Sequence, residues 1–89
     1  MMAFATLTDW LEFELIRKLA SLPTDQARYS MLIQQGNVWQ YRRQRFLETD
    51  GASEVPHPHY GPMTATDFIL VLGMIDRAKS QLEAQRESA

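Results

Sequence analysis

The sequence predicts a mainly α-helical fold: one small three-helix domain with a long Pro/His loop before the last helix. Three observations point there. Thr6, Thr24 and Thr64 each stand at a helix-type start, apolar residues recur at helical spacing behind each of them, and one stretch rich in Pro and Gly, 49–62, interrupts the pattern. The helices are expected near 6–22, 25–48 and 64–85.

The last helix is the most strongly marked. Thr64 can act as N-cap, with Asp67 where a capping box carries Glu or Gln, and Met63 and Phe68 sit at staple spacing. Phe68, Val71, Leu72, Ile75, Ala78 and Leu82 form one apolar stripe at about 100° per residue. Ile69, Leu70 and Met74 fall outside it, so the first turns are apolar nearly all round. A helix of this kind is expected to be covered on more than one side. Ile69, Leu70, Gly73 and Met74 are therefore assigned as an oligomer or partner face, with Gly73 admitting a second backbone. A buried strand over Phe68–Leu72, stopped at Gly73, fits less well because the helical pattern continues to Leu82.

In the first segment, Thr6 and Asp9 give a second capping-type start, and Pro23 ends the pattern. Leu11, Leu15, Leu19 and Leu22 form the core-facing stripe, and Glu14 is spaced to pair with Lys18. Trp10 and Phe13 lie off that stripe. They either pack beneath the last helix or the N-terminal tail, or serve as aromatic anchors for a partner.

Thr24 and Asp25 open the second segment, in which Ala27, Met31, Leu32, Val38, Trp39 and Phe46 share a broad arc. Gly36-Asn37 interrupts it, either as a kink or as the turn of a hairpin pairing 29–35 with 38–43. The hairpin would make the domain α+β. The Gln and Arg residues on both sides favour the helix. In the loop that follows, Asp50-Gly51 is turn chemistry, and Pro56, Pro58, Gly61 and Pro62 exclude regular structure. Its length suits either a functional or mobile segment or a simple span across the molecule. Residues 86–89 carry no stripe and are expected to fray.

The 89 residues fit one domain, and 45% apolar with 22% charged residues is the balance of a folded soluble protein, not a disordered tail. The absence of cysteine removes disulfides and thiolate sites and suits a cytoplasmic protein. No apolar run reaches the roughly 20 residues that a bilayer needs. The N-terminus lacks the charge and apolar core of a secretory signal, so no membrane association is expected.

Charge is concentrated in one place. Residues 26–47 carry Arg28, Arg42, Arg43 and Arg45 and no acid, in a chain of net charge −2. Arginines interleaved with Trp39, Tyr41 and Phe46 are the chemistry of phosphate and base contact. However, they fall on three sides of a helix in an acidic protein with Glu48, Asp50, Glu54 and Asp67 close by, which favours ion pairing within the chain or with an acidic partner. His57 and His59, one residue apart in an extended segment, point to opposite sides, and no third ligand is fixed nearby, so no metal site is expected. No nucleophile, carboxylate pair or phosphate-cradling loop is recognisable, and neither an enzyme nor a cofactor is expected.

Gly61-Pro62-Met63-Thr64-Ala65-Thr66-Asp67-Phe68, followed by Val71 and Ile75-Asp76, resembles the second helix of small phage head-completion proteins of the lambda W type, with their Thr-x-x-Asp-[Leu/Phe] helix start. The connection at 24–62 is far longer than in that family. The resemblance implies a virion component that joins identical subunits and has no catalytic residue.

The expected function is thus that of a non-enzymatic interaction or assembly protein. Trp10, Phe13, Trp39, Tyr41, Arg42, Arg43 and Arg45 are the contact candidates beside the last-helix face. A small nucleic-acid-binding regulator using Arg42, Arg43 and Arg45 is the first alternative, and an inhibitor of a host enzyme the second.

Overall fold

A computed structural model describes residues 4–88. Three helices occur in chain order: α1, Leu7–Ser21; α2, Asp25–Glu48; and α3, Ala65–Ser88. The chain is a small mainly α domain, and no strand forms among the described residues, so the hairpin alternative is set aside. The expected helices are present with nearly the expected ends, except that α3 continues through 86–88, where fraying was expected.

Each start is held by its threonine. The Thr6 hydroxyl accepts from the Asp9 N–H, and that of Thr24 from the Ala27 N–H, each at 3.1 Å. At α3 the box is complete. Thr64 Oγ1 accepts from the Asp67 N–H at 3.2 Å, while the Asp67 carboxylate accepts from the Thr64 N–H at 2.8 Å. Asp at the third position thus performs the reciprocal bond usually made by Glu. Met63 and Phe68, at staple spacing, are both buried.

α3 carries the core. Phe68, Val71, Met74, Ile75 and Leu82 are buried together with Leu32 and Trp39 of α2 and Met63 of the loop. The Phe68 ring lies 5.1 Å from Phe46 and 5.9 Å from Trp39, an aromatic trio at tilted and edge-on angles. Leu11, Leu15 and Leu19 of α1 are half-buried against the same cluster, as their stripe predicts, and Leu7 joins them in place of Leu22. Both α1 and α2 pack on α3, whereas they barely touch each other. Their corner is fixed by Arg28, which donates to the carbonyls of Leu19 at 3.0 Å and Leu22 at 2.8 Å and so satisfies acceptors at the end of α1. Next to it, Tyr29 of α2 donates to the Glu83 carboxylate of α3 at 3.0 Å, and that carboxylate holds the phenol above its usual pKa.

α2 passes through Gly36 as one continuous helix. An added Cβ there would meet Ile75 Cγ2 at 3.7 Å, an ordinary contact. Gly51 differs. With φ of +88°, it follows Asp50 at +52°, and its N–H bonds to the Phe46 carbonyl at 2.9 Å, the long-range bond of a Schellman stop for α2. A Cβ at Gly51 would press on the Phe46 ring at 3.4 Å.

The two glycines therefore have opposite expected substitution effects. Gly36→Ala should stabilise the domain by about 0.5–1 kcal/mol, because it adds helix propensity without a clash. Gly51→Ala should destabilise it by about 1 kcal/mol or more, through left-handed strain and pressure on Phe46. Urea unfolding of the two variants checks both signs, and a loss at Gly36 would mean that α3 packs closer than described.

Candidate functional site

Because α1 and α2 both pack on α3 and meet each other only at their corner, a crevice of about 230 Å³ remains between them. Val71, Met74 and Ile75 of α3 form its floor. Leu11 and Leu15 line one wall, and Val38 and Trp39 the other. Polar groups ring the mouth. On α1 these are Glu14 and Lys18, and on α2 Gln35 and Arg42. Glu14 does not pair with Lys18 as its spacing suggested. It accepts from Arg17 at 2.6 Å, and that hydrogen bond holds its carboxyl below the usual value. Arg17 lies one residue closer, at i,i+3, which is also a neighbouring position on a helix.

The arginine cluster is largely engaged within the fold. Arg42 makes a two-pronged contact with Glu54 of the loop, Nη2 to Oε1 at 2.5 Å and Nε to Oε2 at 3.3 Å, and its guanidinium lies 4.0 Å from the Trp39 ring centre. One residue thus clamps the loop to α2 and covers the edge of the core. Arg45 pairs with Glu48 at 3.2 Å, and Arg28 with Asp25 at 2.7 Å. Arg43 stands exposed, with no ion pair among the described residues. A single such cation is a poor footprint for a polyanion. Trp39, assigned to partner contact, is instead buried against Phe68, because the α2 arc that meets α3 is centred on it. Tyr41 does face solvent, at 65% exposure.

The loop 49–62 is ordered by its own backbone. His57 and Gly61 exchange hydrogen bonds at 2.9 and 2.8 Å as an isolated antiparallel bridge. His57 Nδ1 accepts the N–H groups of His59 and Tyr60 at 3.0 and 3.2 Å, which commits that nitrogen to the turn. Tyr60 donates to the Phe4 carbonyl at 3.0 Å, the Trp10 ring lies 5.7 Å from His57, and Phe13 lies 5.1 Å from Phe4. Trp10 thus meets the loop and Phe13 the N-terminal segment, with Phe13 still 38% exposed. No group of three or more potential metal ligands converges among the described residues.

The assigned partner face on α3 divides. Ile69 and Leu70 are 59% and 46% exposed and stand on the outer side of the helix. Met74 is 7% exposed and belongs to the core, because α1 docks beside the α3 stripe and widens the buried arc to include it. Within the chain, among its described residues, no backbone of another element lies within 4 Å of a Cβ added at Gly73. The nearest atom to an added Cβ is the Arg77 guanidinium of the same helix, at 3.3 Å.

Sequence reasoning missed the crevice; it expected the arginines to pair with the flanking acids, Glu54 and Glu48 among them, but not that Arg42 is the one that takes Glu54. The excess of arginine over acid at 26–47, followed by lone acids in the loop, was the available signal for the clamp.

The clamp is testable. Arg42→Ala and Glu54→Ala should each destabilise the domain, and the double variant should lose less than the two losses together. The expected coupling is about 1 kcal/mol, the upper end for a partly exposed pair. A double-mutant cycle in urea measures it, and additive losses would show that the pair contributes nothing specific.

Compared with protein-family models, curated proteins and solved structures, the chain matches none.

Proposed function

We propose that this chain works by binding protein, as an interaction or assembly component without catalytic chemistry of its own. The observation that carries the reading is the outer side of α3, where Ile69 and Leu70 stand exposed although the helix is already buried along two neighbouring arcs. Exposed apolar groups next to one another on one element are characteristic of contact surfaces. The electrostatics agree with it. Arg28, Arg42 and Arg45, which a nucleic-acid binder would direct at phosphates, are spent on Asp25, Glu54 and Glu48. The resemblance of the α3 start to phage head-completion proteins supports the finer proposal of a structural component of a virion; among the described residues no helix is long and apolar enough to cross a membrane.

The test is affinity co-purification of the tagged chain from its native lysate, with and without nuclease, alongside an Ile69→Glu plus Leu70→Glu variant. Protein partners held by the parent after nuclease treatment and lost by the variant are expected. Material that disappears with nuclease, or partners retained in full by the variant, would overturn the reading. The variant should keep the parent's far-UV circular dichroism, since neither side chain belongs to the core.

A further inference from the structure

The domain is too open for its mass. A folded monomer of 10.3 kDa is expected to expose about 5,400 Å², and this chain exposes 6282 Å², roughly 900 Å² more. Its radius of gyration is 14.4 Å where a compact chain of this length has about 12 Å. Its extents of 44 × 35 × 18 Å describe a slab less than two helix diameters thick. The surplus area is close to the roughly 800 Å² that each partner buries in a stable protein interface.

We propose that a second copy of this chain covers the crevice face, in a twofold dimer where Tyr41 of each copy enters the crevice of the other. The inference goes beyond the protein-binding reading above: it concerns the crevice face, not the Ile69–Leu70 surface on the outer side of α3. Tyr41 is the most exposed aromatic side chain on α2, and it lies about 60° round the helix from Val38, which lines the crevice. Anchor and receptor are therefore adjacent on one face, as a twofold contact requires, since each copy must offer both. The crevice, at about 230 Å³, is below the roughly 300 Å³ at which small-molecule sites begin, and its size is that of one large side chain. Its floor is apolar, and Glu14, Lys18 and Gln35 at its mouth can hydrogen-bond a phenol. Tyrosine suits such a place because its ring is apolar and its tip is not. The rim is also self-complementary. Glu14 and Lys18 are one turn apart on α1, so a twofold axis can set each opposite its counterpart of the other sign, where a single-sign rim would repel itself.

The test uses the full chain. Sedimentation equilibrium should give twice the chain mass at high micromolar concentration. Val38→Glu and Tyr41→Ala, both at exposed positions, should keep the helical circular dichroism and weaken dimerisation by at least about thirtyfold, the scale of a hot-spot loss. Since the chain lacks cysteine, Val38→Cys, next to the proposed axis, should form a disulfide-linked dimer on mild oxidation, and Ile69→Cys on the opposite side should not. A monomer at every concentration overturns the inference. So does a dimer that survives Val38→Glu and Tyr41→Ala but is dispersed by Ile69→Glu with Leu70→Glu, because the contact would then lie on the outer side of α3. In either case, nuclease-resistant partners that depend on Ile69 and Leu70 would leave the protein-binding reading standing.

Discussion

The contact of Phe68 with Trp39 and Phe46 is the point on which the rest of this fold depends. It joins α3 to the middle and the end of α2. Phe68 is in place because α3 begins where it does, set by the reciprocal Thr64–Asp67 bonds and by Met63 packed beside it. With no disulfide available, the start of one helix fixes the register of the whole core. A shift of α3 by one residue would rotate its buried stripe by about 100° and withdraw Phe68, Val71 and Ile75 together.

One helix serving two neighbours has a geometric cost. α1 and α2 each find their apolar partner on α3, so nothing draws them onto each other, and the crevice is what remains between them. Local polar contacts then fix the relative placement of the pieces. Arg28 closes the corner between α1 and α2, Arg42 brings the loop to α2, and Tyr60 brings it to the N-terminal segment. Of the basic run in the middle of the sequence, Arg42 ties one element to another, Arg45 pairs within its own helix and Arg43 stays exposed.

Much of this architecture was legible in the sequence because its signals are local. A threonine before a helical stripe reports a helix start wherever it occurs, and all three are used. Gly36-Asn37 was ambiguous because a two-residue turn and a glycine in a helix look alike until the neighbour is known, and here the neighbour is Ile75. Met74 was misassigned for a related reason. A stripe read at one period assumes one packing partner, whereas α3 has two, set at an angle, and so buries a wider arc. Trp39 and Arg42 show the same limit, since their roles depend on where Phe68 and Glu54 arrive from distant parts of the chain. The crevice could not be read at all, because it is a property of how two helices diverge and no residue encodes it alone.

α1 differs from the other helices in having no fully buried residue. Its leucines lie half-covered along one side of α3, and its two ends are held mostly by hydrogen bonds and ring contacts. An element with so little buried area is expected to open at a lower free energy than α2, the loop and α3, which are packed around Phe68. The domain then has two layers of stability, a durable α2–α3 hairpin closed by its loop and a lighter helix whose opening frees the flank of α3 at Val71 and Met74.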